Sequence, residues 1–270
     1  MDRSDGNRVG GMLSPDSRGL AGGEVYVEAR CMKLLDDLMA LDASTIPHGE
    51  INSDPKAVRL FRSRWLEFFT HVTPQAVVLI WLPVVAFFVI LGVVRWPDGF
   101  SAIWFVAAFA SGVALLWTLM EYILHRFVFH FEPRNKTQAQ ILFLFHGIHH
   151  FQPHIKTRLV MPPVVSVPLA IFFYVLFWLV LDVIAGAPYL LAPVMAGTIL
   201  GYIAYDMVHY ATHHLPMKGA VMRFLKRHHM EHHFRTPEMR FGVTTSMWDQ
   251  VFRTEPPRET RSADRSVSSS

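Results

Sequence analysis

The chain has 270 residues, of which 51% are hydrophobic and 17% carry charged side chains, and its formal net charge is +3. The charges gather at the two ends and in one central loop, which argues against a soluble protein and indicates an integral membrane protein with solvated ends. The single cysteine, Cys31, excludes an internal disulfide and a cysteine-based zinc site, and the basic residues beside apolar runs favour lipid headgroups over nucleic acid as partners.

The N-terminal region is predicted to contain little regular structure. Residues 1–23 are rich in Gly, Ser and Asp, so we expect them to be disordered and to lack the apolar core of a signal peptide. Leucines separated by charged residues over 25–43 predict a short amphipathic helix. Basic residues then alternate with aromatic ones over 56–70, which is typical of an anchor at the membrane interface. We treat residues 1–50 as an N-terminal region of its own.

Four apolar stretches are long enough to cross a bilayer as helices. About 20 residues at about 1.5 Å each span the roughly 30 Å hydrocarbon layer. Three prolines are expected to kink the start of the third stretch, and small residues in the fourth favour close helix packing. The predicted spans are residues 75–94, 102–120, 159–181 and 188–208.

Four spans place both termini and the polar loop 121–158 on one side of the membrane. Nearly all Lys and Arg lie on that side, which makes it cytoplasmic by the positive-inside rule. The expected location is a bacterial inner membrane or the endoplasmic reticulum. We therefore predict an all-α integral membrane protein with four transmembrane helices and a cytosolic, histidine-rich helical cap that holds a dimetal centre. Residues 51–257 are predicted to form this domain. A disordered tail, 258–270, follows.

Ten histidines on the cytoplasmic side fall into four clusters. Two clusters follow an i, i+3, i+4 pattern that presents three imidazoles to one point, and a third follows i, i+4. The fourth pair, at i, i+5, diverges by about 140° on a regular helix, so it either serves two metals or flanks one pocket from two sides. The clusters are His125 and His130; His146, His149 and His150; His209 and His213; and His229, His232 and His233.

These ten imidazoles predict a pair of metal ions. Ten ligands exceed the four of a structural zinc site, and two ions with about five imidazoles each is the simplest division. One assignment stays open, because His228 is i, i+4 from His232 and is an alternative ligand to His229. His154 and His214 are expected to lie outside the ligand set.

Two carboxylates lie one helical turn or less from predicted ligands. Glu121 precedes His125 by four residues, and Asp206 precedes His209 by three. A carboxylate in that position either accepts the second imidazole N–H and orients the ring, or bonds a cap or loop. Both interpretations stay open for each residue.

A dimetal centre under apolar helices suggests oxidation of a lipid. Imidazole-bound iron in a diiron site can activate dioxygen, which is required to oxidise a saturated chain without acidic protons. The sequence holds no haem, flavin or Rossmann motif, so electrons are expected from an external carrier. The expected cofactors are two Fe ions, for which zinc can substitute in purified protein, with O2 as co-substrate.

The region from Arg59 to Thr254 resembles the membrane fatty acid hydroxylases of the fatty acid hydroxylase and sterol desaturase superfamily, and is most similar to the fatty acid 2-hydroxylases. The histidine pattern carries the resemblance, together with residues 158–163 (Arg-Leu-Val-Met-Pro-Pro) and 241–244 (Phe-Gly-Val-Thr). It implies that the ten histidines are the metal ligands. It also implies a monooxygenase that hydroxylates the 2-position of a fatty acid or sphingolipid acyl group, with electrons from a cytochrome b5-type or ferredoxin-type donor. The cytochrome b5 domain fused to many eukaryotic relatives is not expected, because residues 1–50 are too short and polar.

Other functions remain possible from the sequence. A sterol or carotenoid oxidase or desaturase would use the same metal chemistry. A histidine-rich metal-binding or transport protein would need ionisable residues inside its spans, and here the spans are nearly free of them. A bis-histidine haem carrier would need paired histidines at membrane depth, whereas these lie outside it.

Overall fold

The structure, a computed structural model, describes residues 30, 32–47 and 49–256. Within these residues the chain is helical apart from loops and one isolated antiparallel bridge between Met39 and Phe61, which confirms the all-α class. The predicted disorder at 1–23, the predicted tail and part of the predicted first helix lie outside the described residues.

The helices are numbered here in chain order. They are α1 (residues 32–38), α2 (Arg64–Phe68), α3 (Pro74–Val94), α4 (Ala102–Phe129), α5 (residues 136–151), α6 (Pro163–Ile184), α7 (Pro188–His214), α8 (Ala220–Phe234) and α9 (Met247–Val251), with a 3-10 turn at Ala43–Thr45. By length and composition α3, α4, α6 and α7 can each cross a membrane. This confirms the four predicted spans and indicates an integral membrane protein.

Two of the spans are longer than predicted. α4 continues past the predicted end at 120 to Phe129, and α7 continues past 208 to His214. Neither extension contains Gly or Pro, so nothing in the backbone ends the helix where the apolar run ends. α7 ends two residues before Pro216, as expected for a residue that cannot continue a helix. The two extensions carry histidines out of the apolar layer as parts of rigid helices.

The third span begins later than predicted, and its prolines explain the difference. Pro162 adopts an extended conformation (ψ 151°) as the residue before α6, and Pro163 is the first helical residue, where the missing N–H costs nothing. The residues before them form turns and bends, and Met161 contacts α7 through hydrogen bonds with Asp206 and Tyr202. Pro162 and Pro163 therefore start the helix rather than kink it.

α7 is the central helix of the bundle. In the most apolar 18-residue stretch of each span, 72% of α7 is buried, against 22% or less of the other three. The large apolar side chains of those three spans face outward, as expected for lipid contact. Close packing depends on glycine: a Cβ on Gly197 would lie 2.0 Å from the carbonyl oxygen of Phe109 in α4. This confirms that small residues let the fourth span approach its neighbours.

The N-terminal segment packs onto the end of the bundle that carries the histidines. Ala43 and Leu60 join Phe143, Ile148 and Phe151 of α5 in a second hydrophobic core. Close to that core, α2 exposes aromatic rings immediately before the first span, as an interfacial anchor would. The described residues between 30 and 61 therefore pack as part of the histidine-bearing end of the protein. The domain boundary at residue 50 stays a prediction.

Candidate metal centre

All ten predicted histidines meet at one end of the bundle, in two sets of five. In each set, one nitrogen from every imidazole lies within 4.8 Å of the others. We call them the first and second imidazole sets. The first set contains His125, His130, His146, His150 and His232, and the second contains His149, His209, His213, His229 and His233.

His125 and His130 belong to the same set, so the interpretation that they serve two metals is wrong. Their ring centroids are 4.9 Å apart. Residues 124–129 form a π-type turn, and the helix ends at His130, whose φ of −121° and ψ of 27° are not helical. The wider i→i+5 turn and the break together cancel the divergence expected on a regular helix. The alternative, two residues flanking one pocket, describes what the structure shows.

The two i, i+3, i+4 clusters do not each aim three rings at one point, as the spacing suggested. In α5 the outer pair His146 and His150 lies in the first set, while His149 lies in the second. In α8 the assignment is reversed: the outer pair belongs to the second set and His232 to the first. On a helix, i+3 lies about 60° to one side of i and i+4 about 40° to the other. The middle histidine therefore faces the neighbouring set.

The described contacts identify Nε2 as the converging nitrogen. His125 Nδ1–H donates to the carbonyl of Phe241 at 2.5 Å, and His232 Nδ1–H donates to the carbonyl of Met239 at 2.7 Å. A carbonyl can only accept, so the proton is on Nδ1 and the Nε2 lone pair points into the set. Two ring orientations are thus fixed by the backbone of one segment, residues 239–241.

The spacing of these nitrogens suits a metal ion. Nε2 atoms of His125 and His146 are 3.1 Å apart, and those of His146 and His150 are 2.9 Å apart. In the second set, His149 Nε2 is 3.0 Å from the Nε2 atoms of both His209 and His233. Two imidazoles at right angles on a metal at about 2.1 Å would place their nitrogens about 3.0 Å apart.

The five imidazole nitrogens of each set also have the chemistry of a metal site. A neutral imidazole carries one N–H, so five nitrogens that converge on one point cannot all be paired by hydrogen bonds among themselves. A cation at that point would satisfy all five lone pairs. The residues present therefore fit a metal ion in each set.

The electrostatics of the cap keep these rings neutral. Burial, and then the neighbouring imidazoles, hold the pKa of His146, His149, His229 and His233 well below the usual 6.5. Near pH 7 these rings are uncharged and present lone pairs, which metal binding requires.

His228 is not part of either set, whereas His229 belongs to the second, so the geometry favours His229 as the candidate ligand. Its Nε2 lies 3.2 Å from Asp249 Oδ2, and its Nδ1 lies 3.5 Å from Glu255 Oε2. His229 instead contacts His213 at 2.9 Å inside the second set. His154 and His214 also lie outside both sets, as expected.

Asp249 holds the loop that orients His125, and sequence reasoning assigned no role to this residue. It is fully buried, and its carboxylate accepts the N–H groups of Phe241 and Gly242 at 2.8 and 2.9 Å and the hydroxyl of Thr254 at 2.7 Å. The Phe241 carbonyl in turn orients His125. The signal available in the sequence was an aspartate shortly after a Phe-Gly-Val-Thr segment, but no spacing rule connects it to a ligand.

Glu121 and Asp206 both bond loops and not imidazoles. Glu121 accepts the N–H of Val243 at 2.5 Å and both the N–H and the hydroxyl of Thr244. Asp206 accepts the N–H of Met161 at 3.3 Å. Of the two open interpretations, the loop bond is the one observed for each. Glu121 and Asp249 together hold both ends of the segment that positions His125.

Two cavities border the imidazole sets. The first, about 340 Å³, is mainly apolar and lies between α2, α5, the start of α6 and α7; His146, His149 and His209 form part of its wall. We call it the acyl cavity after the acyl group that the sequence resemblance implies as substrate; Phe69 and Val164 are among its lining residues. The second, about 290 Å³, is more polar and is bounded by residues 43–51, 129–133 and α5. Both sets thus contribute to the walls of an apolar cavity and of a more polar one.

The arrangement has known relatives. The fatty acid hydroxylase family model matches residues 110–254, which contain all ten histidines. A dihydroceramide fatty acyl 2-hydroxylase of Arabidopsis thaliana is 36% identical over 73% of this chain and 80% of its own length. A fatty acid 2-hydroxylase of Rattus norvegicus is 35% identical over 76% of this chain, but the match spans 58% of the rat protein.

A solved structure shows that the similarity extends to three dimensions. Full-length scs7p, in which only the hydroxylase domain is visible, matches with a TM-score of 0.64 and 36% identity over 72% of this chain and 70% of that chain. Half of the chain matches the family model, and the plant relative is covered over four-fifths of its length. The chain belongs to the fatty acid hydroxylase family.

Proposed function

We propose that the chain is an oxygen-dependent membrane monooxygenase that hydroxylates a fatty acyl chain at the 2-position. The observation that carries this proposal is that two sets of five imidazoles border an apolar cavity at the end of a four-helix membrane bundle. The printed names of the plant and rat relatives, both 2-hydroxylases, support the position and the acyl substrate. Residues 51–257 would form the catalytic domain.

The ten histidines would hold two metal ions, one in each set of five rings. We propose that both ions are iron. Imidazole suits iron as well as zinc, so the metal found after purification depends on its supply. A pair of iron ions would supply the activation of dioxygen that insertion into an unactivated C–H bond requires. Each turnover would use one O2, two electrons and two protons, and would yield the 2-hydroxyacyl product and one water.

The two cavities suggest separate routes for the reactants. An acyl chain would enter the acyl cavity from the lipid side, where apolar walls replace the bilayer around it. Dioxygen and electrons would arrive through the more polar cavity. We propose a cytoplasmic orientation for this end, and a cytochrome b5-type or ferredoxin-type protein as the electron donor.

The test is hydroxylation by purified protein in nanodiscs, loaded with ferrous iron and supplied with a reducing system. Oxygen uptake and 2-hydroxyacyl lipid, detected by mass spectrometry, should rise together. His149→Ala and His232→Ala each remove one ligand from a different set and should abolish product while the protein stays membrane-inserted. His154→Ala is the matched control, because that ring bonds the Asp54 carbonyl outside both sets.

Two results would contradict the proposal. Unchanged product in both ligand variants would remove the imidazole sets from the reaction. Oxidised sterol or carotenoid with no hydroxylated acyl lipid would assign the same centre to another substrate.

A further inference from the structure

Arg158 is a buried cation in the wall of the acyl cavity. Its residue is 6% exposed, and it lies in the loop between α5 and α6. Its Nη2 donates to Glu67 Oε1 of α2 and lies 3.1 Å from His71 Nε2. Among the residues that the structure describes, its Nε and Nη1 have no hydrogen-bond partner although both are buried. An arginine has five N–H donors, so most of its capacity here is directed at no protein acceptor.

The cavity lining makes these donors significant. Apart from Arg158, the wall is mostly apolar, and the imidazoles of His146, His149 and His209 form another part of it. A molecule that fills this space would lie against Arg158 and against imidazoles of both sets. Buried donors without acceptors are destabilising, so a ligand that supplies an acceptor oxygen there is favoured.

We infer that Arg158 binds the carbonyl oxygen of the substrate acyl group and thereby selects the 2-position for hydroxylation; this inference rests on the proposed function. The 2-carbon is bonded directly to the carbonyl carbon. Holding the carbonyl oxygen on a wall shared with the imidazole sets fixes that carbon beside them, and the rest of the chain extends along the apolar lining. Without the anchor, a uniformly apolar chain could slide, and no single carbon would be presented.

The charges around Arg158 favour an uncharged carbonyl. Glu67 already pairs with the guanidinium, and burial followed by the Arg158 charge lowers the pKa of His71, so that this ring is neutral near pH 7. A carboxylate would add a second anion to a pair that is already neutral, in a cavity whose wall also contains Asp206. The carbonyl of an amide or an ester adds no negative charge. N-acyl lipids therefore fit the site better than free fatty acids.

The first experiment measures where the hydroxyl group is placed. Arg158→Met, Arg158→Lys and wild type would be assayed in iron-loaded nanodiscs with an N-acyl lipid, and the product isomers separated by mass spectrometry. For Arg158→Met, kcat/KM for the 2-hydroxy product should fall by about 10- to 100-fold, the range for a lost charge-assisted hydrogen bond. A larger share of product should carry the hydroxyl at the 3-position or beyond. Arg158→Lys should restore part of the 2-hydroxy selectivity.

Arg64→Met is the matched control, since Arg64 is exposed on α2 and outside the cavity. It should leave the product isomers unchanged. If Arg158→Met keeps its metal and makes only the 2-hydroxy isomer at unchanged kcat/KM, the inference is wrong. If wild type itself makes no hydroxylated acyl lipid, the proposed function fails instead.

A second variant tests the charge argument even if Arg158→Met does not fold. Glu67→Gln removes the negative charge that pairs with the guanidinium and leaves the pair with a net positive charge. The ratio of kcat/KM for a free fatty acid to that for the N-acyl lipid should rise severalfold, because a carboxylate now completes the pair. An unchanged ratio would overturn the assignment of the carbonyl to Arg158.

Discussion

Replacing Asp249 by Ala tests how the cap holds the first imidazole set. The carboxylate is fully buried and accepts two backbone N–H groups, of Phe241 and Gly242, besides the Thr254 hydroxyl and a contact from His228. Alanine leaves both N–H groups buried without an acceptor, at about 1–3 kcal/mol each. The expected loss of unfolding free energy is therefore about 2–6 kcal/mol, a large part of the roughly 5–15 kcal/mol of a typical domain.

The same substitution should weaken one metal more than the other. Phe241 orients His125 through its carbonyl, at 2.5 Å from Nδ1, and His125 belongs to the first set. Loss of a group that orients a ligand typically lowers metal affinity by about 10- to 100-fold. Among the described contacts, this segment bonds no ligand of the second set. As chelator concentration rises, Asp249→Ala should pass through a state with one metal per chain before wild type does.

The assay is metal content by mass spectrometry after dialysis against a series of chelator concentrations, with thermal unfolding recorded on the same samples. Asp98→Ala is the control for the chemical change, because Asp98 is exposed in the turn between α3 and α4. If Asp249→Ala retains two metals at every chelator concentration at which wild type does, with an unchanged midpoint of unfolding, then the loop does not support the site.

Three further predictions concern the ligand assignment, protonation and helix packing. His229→Ala should lower the metal content to about one per chain while His228→Ala keeps two, measured without competing chelator; the reverse result would exchange their roles. Because the buried cap histidines have lowered pKa values, the unfolded chain binds more protons than the folded one below about pH 6.5. Lowering the pH from 7 to 5 should therefore lower the melting temperature and release metal, and a flat profile would contradict this. Gly197→Val should prevent close packing of α4 on α7 and abolish stable expression, since even a Cβ would lie 2.0 Å from the Phe109 oxygen; Ala107→Val, exposed on α4, should not.

The spans and the ligand identities were predictable because both depend on local pattern. An apolar run of about 20 residues needs no knowledge of its neighbours to be recognised as a span. Histidines three or four residues apart share a helix face wherever the helix lies. The ends of α4 and α7 were predicted too early because each helix was taken to end where its apolar run ends. A helix continues until its backbone is interrupted, and the next proline after α7 is Pro216.

The rest depended on contacts between distant parts of the chain. Asp249 reaches His125 through the Phe241 backbone, more than 100 positions away in the sequence, and no periodicity records such a link. The π-type turn at 124–129 also leaves no compositional mark, yet it decides that His125 and His130 share a set. The unpaired N–H donors of Arg158 could not be predicted, because they depend on the contact between α2 and the α5–α6 loop.

The crossed assignment of the two three-histidine clusters has a consequence for how metals bind. Each of α5 and α8 contributes two rings to one set and one to the other, in opposite senses, and the rings of His150 and His233 stack across the sets at 4.0 Å. A shift or rotation of either helix would therefore disturb both sets at once. Ligands held by two shared helices would be ordered together, so we expect the first metal to fix part of the second site and to lower the entropic cost of filling it. The fold would thus couple the two ions, and a one-metal state should be most populated in variants whose defect is confined to one set.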